Sequence, residues 1–178
     1  MNIPWIIKNS KIVYEDPWMK LRVDENEFQN GKTGQHAVIL KRPFTTILPL
    51  KGNNIVMVSQ IRYATGLLSL ELPMGYMEEE DPLAGAKREL QEETGYIGAT
   101  WTYLGKQYVA PAYCDQIYHA FIADNLELHE KNQEDTEFLE IQEVPFQKAL
   151  DLIENCTITD SPTILTILRA KTYILDRK

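Results

Sequence analysis

The chain has 178 residues, 44% of them hydrophobic and 25% charged, which excludes wholesale disorder and is long enough to bury one sizeable core. A net charge of −8 argues against nonspecific binding to nucleic acid, which needs a basic face, but not against an anionic small molecule met by a metal or by local arginines. Two cysteines cannot build a disulfide framework or a four-cysteine zinc site, no apolar run approaches the roughly 20 residues of a membrane span, and Met1-Asn2-Ile3-Pro4-Trp5 lacks a secretory leader pattern. A cytoplasmic chain is expected, with neither membrane nor nucleic acid as partner.

Residues 11–62 read mostly as strands. Lys11–Tyr14 is a short one. In Trp18–Phe28, Met19, Leu21 and Val23 alternate with Lys20, Arg22 and Asp24, the period of two of a half-buried strand. Asn30-Gly31-Lys32-Thr33-Gly34 is a turn, since glycines permit positive φ. Strands follow at His36–Lys41, Thr45–Leu50 and Ile55–Ile61, broken by Pro43 and Gly52-Asn53-Asn54, and successive antiparallel pairing is expected.

Asp81–Thr94 changes character. Asp81 suits the N-cap and Pro82 the first helical position, Leu83, Ala86 and Leu90 make one apolar stripe, and Gly95 ends the helix. Gly85 inside it costs about 1 kcal/mol relative to alanine, which close packing would explain. Thr100–Val109, Gln116–Ala123 and Phe138–Val144 read as strands, and Leu126–Thr136 as a mobile acidic loop. Pro145–Asn155 and Ser161–Leu175 read as helices. Strands around one central helix, with helices at the end, predict a mixed α/β sandwich. Cys114 and Cys156 are expected to be unreactive buried thiols, and His119 a core histidine.

The chemistry concentrates in the helix. Glu89 stands four residues before Glu93 and three before Glu92, so the three carboxylates share one face and repel one another. A hard divalent cation with oxygen ligands would relieve that repulsion. For three glutamates alone, a solvated acidic face beside Arg88 is the simpler reading.

The surroundings change that balance. Glu71-Leu72-Pro73-Met74-Gly75 and Glu80 precede Arg88-Glu89-Leu90-Gln91-Glu92-Glu93-Thr94-Gly95. The stretch Gly75–Tyr96 closely resembles the Nudix box, the signature of the Nudix hydrolase family. Gly75, Glu80, Arg88, Glu89, Glu92, Glu93 and Gly95 match its fixed positions, with a chance probability on the order of 10⁻⁸ per starting point. Only four residues separate Gly75 from Glu80, one fewer than in the pattern, and Asp81 stands beside Glu80 as its substitute. Tyr96 takes the final aliphatic position. Gln60-Ile61-Arg62-Tyr63, Leu70-Glu71-Leu72-Pro73 and Ala110-Pro111-Ala112-Tyr113 resemble the ADP-ribose pyrophosphatase branch. The tail Glu134–Glu140, Val144-Pro145 and Ile158-Thr159-Asp160 is similar more loosely.

The resemblance implies an α/β/α Nudix sandwich with a mixed sheet over residues 44–178, preceded by an antiparallel β extension over 1–43 that serves a homodimer. It implies Mg²⁺-dependent hydrolysis of the pyrophosphate in ADP-ribose or a related nucleoside diphosphate sugar, with Mn²⁺ as a substitute ion. The alternatives are another substrate such as GDP-mannose, or a Nudix module that senses a nucleotide without cleaving it. The implied metal ligands are Glu89, Glu92, Glu93 and the carbonyl of Met74, with Arg88 orienting the glutamates. Glu137 is the first candidate for general base, then Glu134, then Glu92. Arg62 would meet the pyrophosphate and Trp18 the adenine. His36, Lys41 and Arg42 are surface residues unless they line the same pocket.

Overall fold

A computed structural model describes residues 2–78, 81–129 and 139–175. Glu80, Glu134 and Glu137 lie outside the described residues. The chain forms two compact units, Met1–Pro43 with Tyr108–Ile117, and Phe44–Gln107 with Tyr118–Lys178. No helix of the described residues is long and apolar enough to cross a membrane.

The first unit is a three-stranded antiparallel sheet of β1 (Trp5–Glu15), β2 (Met19–Phe28) and β3 (Thr33–Lys41), in that order. β1 has 11 residues and is far longer than the expected Lys11–Tyr14. Its register against β2 shifts between Ile7 and Asn9 and between Ile12 and Tyr14, and such bulges destroy the alternation that marks a strand in sequence. Of the two turn glycines, Gly31 takes the left-handed conformation (φ 77°). Gly34 sits in β3, where a Cβ would meet the Phe28 ring at 3.1 Å. Residues 108–117 belong to this unit because they bond to β3: Ile39 N–H donates to Tyr113 O (2.8 Å) and Asp115 N–H to Ile39 O (3.1 Å).

Asp24 on β2 is buried and accepts hydrogen bonds from Arg22 Nε (2.8 Å), Arg22 Nη2 (2.8 Å) and Ser10 Oγ (2.6 Å). These bonds, Arg22's first, hold its carboxyl below the ordinary 3.8. A depressed folded-state pKa contributes stability above the unfolded value and loses it as pH falls through the folded value. Asp24→Asn is therefore expected to lower the melting temperature at neutral pH. The deficit should shrink as pH drops below 3.8, because wild type then loses the same contribution. Melts from about pH 7 to about pH 2 check this.

The second unit is a mixed sheet with helices on both faces. Its strands are β4 (Phe44–Lys51), β5 (Asn54–Arg62), β6 (Leu67–Glu71), β7 (Met74–Tyr76), β8 (Tyr96–Tyr108), β9 (Ile117–Leu128) and β10 (Glu140–Pro145). The path runs β10-β5-β4-β9-β8, with β6 paired to β5 and β7 to β4. β4 pairs antiparallel with β5 and β7 but parallel with β9, from Phe44↔Tyr118 to Pro49↔Ala123. The antiparallel pairing expected of Thr45–Leu50 with Ile55–Ile61 is present in β4 and β5, and the parallel β4–β9 ladder makes the sheet mixed, as the resemblance implies. β9 runs to Leu128, so residues 126–128 are strand and not loop.

Helix α1 (Pro82–Thr94) covers one face, where Ile47, Val56, Ala86, Leu90, Phe121 and Ala123 cluster. Helices α2 (Phe146–Glu154) and α3 (Ser161–Leu175) cover the other, around Leu48, Ile55, Met57, Ile122, Ala149 and Ile167. Neighbouring residues of β4, β5 and β9 thus face opposite layers, and both are apolar because both faces are covered. The result is the expected α/β/α sandwich.

Candidate active site

The site is built where α1 meets β7. Asp81 caps the helix by accepting from Leu83 N–H (3.1 Å), and Gly95 closes it in the left-handed conformation (φ 74°), its N–H donating to Gln91 O (2.8 Å). Leu90 and Ala86 anchor the apolar stripe against the sheet. That anchoring turns Glu89 and Glu93 inward, to 8% and 4% exposure. Glu93 Oε2 accepts from Met74 N–H (3.1 Å), which ties the helix to β7. β7 is fixed in turn by its pairing with the start of β4, Thr45↔Gly75 and Thr46↔Met74, and by Ile47 N–H donating to Pro73 O (2.9 Å).

Gly75 is required by close approach. A Cβ there would stand 2.1 to 2.4 Å from the Glu89 carboxylate atoms. Arg88 joins the remaining parts: it pairs with Glu89 Oε1 (2.8 Å) and Glu92 Oε2 (2.6 Å), and its Nη2 donates to Tyr76 O (2.8 Å). Two of the three glutamates therefore lean on one guanidinium, while the third leans on a backbone N–H.

A second polar group stands on β5, β6 and α3. Glu71 is 1% exposed and accepts from Arg62 Nε (2.9 and 3.1 Å) and from Arg62 Nη2. Arg62 carries charge interactions with Asp160 and Glu93 as well. Asp160 caps α3 by accepting from Thr163 N–H (2.8 Å), and its carboxyl is raised above the ordinary 3.8, chiefly by burial and further by the charge of Glu71. Thr163 Oγ1 accepts from Leu72 N–H (3.0 Å), so α3 helps fix the strand that carries Glu71. Sequence reasoning singled out Arg62 but passed over Glu71 as a site residue. The signal was a buried acid at the inner end of a β5–β6 hairpin, and β6 itself was not foreseen.

Trp18 lies in the first unit, at the β1–β2 turn, and is 58% exposed. Asp16 shapes the turn by accepting from Trp18 N–H and Met19 N–H, both at 2.7 Å. The Arg42 guanidinium sits 5.7 Å from the Trp18 ring centroid. His36 Nδ1 is hydrogen-bonded with Asn26, at 2.5 Å. Cys114 is buried but Cys156 is exposed, contrary to expectation, because it lies just past α2 in the left-handed conformation (φ 61°). His119 is half-buried rather than core: it stacks on Tyr103 and bonds to its hydroxyl (2.9 Å).

Among the described residues, no three His, Cys, Asp or Glu side chains stand grouped as a metal centre. The donor set nevertheless suits a hard divalent cation. The Glu89 carboxylate occupies the space that Gly75 leaves by lacking a side chain, Glu93 lies against the neighbouring Met74 N–H, and both are hard oxygen donors.

Comparison with known proteins agrees with this architecture. The NUDIX domain family matches residues 40–163, and the nucleoside diphosphate sugar hydrolase N-terminal domain matches residues 5–39. An ADP-ribose pyrophosphatase of Bacillus subtilis (strain 168) is 31% identical over 159 residues, 87% of this chain and 86% of that protein. A methanol dehydrogenase activator of Bacillus methanolicus is 32% identical over 153 residues, covering 84% of this chain and 83% of its own length. The crystal structure of an ADP compounds hydrolase superposes with a TM-score of 0.90 over 98% of this chain and 96% of that one, at 19% identity, and so shares the fold. Proteins of this family generally use a divalent metal ion. With the box residues in place on α1 and β7 and a family match across most of its length, the chain belongs to the Nudix hydrolase family.

Proposed function

We propose that this protein hydrolyses the pyrophosphate bond of ADP-ribose or a related nucleoside diphosphate sugar, giving a nucleoside monophosphate and a sugar phosphate. The observation that carries this reading is the inward pair Glu89 and Glu93, held against Met74 and Gly75 by Arg88 and the Met74 N–H. The match of residues 5–39 to the N-terminal domain of nucleoside diphosphate sugar hydrolases supports the substrate class, and the B. subtilis relative supports ADP-ribose within it.

Glu89, Glu92, Glu93 and the Met74 carbonyl would hold Mg²⁺, or Mn²⁺ in its place. When bound, such an ion neutralises the phosphate oxygens and lowers the pKa of the attacking water. Arg88 keeps Glu89 and Glu92 oriented by its two ion pairs. Arg62 donates to the pyrophosphate, and Trp18 offers its exposed ring to the base. Glu137 takes the water's proton, with Glu134 and then Glu92 next in order. For Glu137 and Glu134 this assignment rests on sequence likeness.

Residues 1–43 serve as a dimerisation extension of a catalytic domain at 44–178. β1 is an edge strand, and its Trp5, Ile6, Ile7, Ile12, Val13 and Tyr14 are between 40% and 57% exposed. A bare apolar edge of this kind is a hazard unless a partner covers it. A monomer in sedimentation equilibrium would remove this part of the reading.

The direct test is hydrolysis of ADP-ribose, GDP-mannose, UDP-glucose, NADH and a diadenosine polyphosphate, each with Mg²⁺ and with EDTA. Metal-dependent turnover led by ADP-ribose is the expected result. Turnover led by GDP-mannose would move the substrate within the class. Nucleotide binding with no turnover on any substrate would replace the enzyme with a sensing module.

A further inference from the structure

Glu71 lies outside the helix motif and is almost wholly buried. A carboxylate in that position persists only when it is paired, and Arg62 is the partner. The pairing is one-sided. Glu71 takes Nε and Nη2, one edge of the guanidinium fork, and Nη1 makes no hydrogen bond among the described residues. The Arg62 side chain is 42% exposed, and Nη1 is the end of the fork that Glu71 does not hold. Two other acids, Asp160 and Glu93, stand within electrostatic reach of the same guanidinium. An arginine on a flexible stem among three acids has no single resting place unless one of them grips it bidentately.

We propose that Glu71 is a positioning residue: it fixes Arg62 by its Nε–Nη2 edge, so that Nη1 faces an incoming pyrophosphate instead of turning toward Glu93 or Asp160. This rests on the reading above that Arg62 meets the pyrophosphate. The grip comes from strand register. β5 and β6 pair Arg62 with Leu67 and Val58 with Glu71, so Arg62 folds back along its own hairpin to reach the acid. The same grip keeps a cation beside the box acids without letting it become their permanent counter-ion.

An Arg62 contact present in both bound substrate and transition state affects KM and leaves kcat. Glu71→Gln is expected to raise KM for ADP-ribose about tenfold with kcat within about twofold of wild type. Calorimetric binding of ADP-ribose in EDTA should weaken by the same factor, independent of turnover. Arg62→Gln keeps a donor for Glu71 and should raise KM at least as much. The double variant should be no worse than Arg62→Gln alone, since Glu71 acts only through Arg62. Wild-type KM and affinity in Glu71→Gln, or effects that simply add in the double variant, would overturn the proposal. Melting temperatures are taken for every variant. If Glu71→Gln does not fold, Glu71→Asp carries the test: it keeps the charge but draws the guanidinium back, and wild-type affinity in it would equally overturn the role. A wild-type chain that hydrolyses no nucleoside diphosphate sugar defeats the functional reading instead, and the binding arm still decides what Glu71 does.

Discussion

Glu93→Gln is expected to lose turnover by about 10³-fold while its melting temperature stays within a few degrees of wild type. The two halves of that expectation come from different atoms. The amide oxygen of glutamine still accepts from Met74 N–H, so the tie between α1 and β7 survives. The negative charge does not survive, and with it goes one of the two inward carboxylates of the site. Burial is what makes the loss large, because few water molecules can stand in for the missing charge. Steady-state assay with Mg²⁺, together with a thermal melt, checks both halves. Titration with Mn²⁺ should show affinity weakened at least tenfold. Near-wild-type turnover would show that the carboxylates on α1 are not the metal site.

Gly75→Ala should also separate activity from stability, by a steric route. The added Cβ falls 2.1 Å from Glu89 Oε2 and 2.4 Å from Oε1, so Glu89 must move. The obstruction is the tip of a flexible side chain rather than backbone, and the fold can yield there at a cost of about 1 kcal/mol. Yet the atoms that must yield are the proposed ligand atoms, and they also carry the pair with Arg88. Turnover is expected to drop about 10²-fold, with an unfolding midpoint in urea close to wild type. A full-activity Gly75→Ala protein would show that the Glu89 carboxylate works from another position.

Helix α1 was legible because its signals agree: a capping Asp81, Pro82 at the start, an apolar stripe, and Gly95 in the left-handed cap. α3 was legible for the same reason, from Ser161-Pro162 to Leu175. β1 was not. Its residues are exposed and its bulges break the period of two, so no burial pattern was written into Trp5–Glu15. β6 and β7 were hidden by brevity, at 5 and 3 residues. The acids of the site were visible because they lie on one helix at fixed spacing. The Arg62–Glu71 pair was not, since it appears only once β5 and β6 fold back on each other. The parallel β4–β9 ladder was equally invisible, because local sequence carries no mark of a partner so distant along the chain.

That ladder also sets when the protein comes into being during synthesis. β4 joins residues 44–49 to 118–123, and the Leu72 N–H beside Glu71 waits for Thr163, 91 positions further on. At about 5–20 residues per second, the ribosome needs roughly 4–15 s to pass from the end of β4 to the middle of β9. Once residue 94 has been made, α1 and its carboxylates exist for the rest of that interval, but β9, the parallel partner of β4, has not been made. Contacts this remote close slowly. The support that Thr163 gives the strand carrying Glu71 can form only after α3 emerges, so a chain stopped before α3 carries the motif without it.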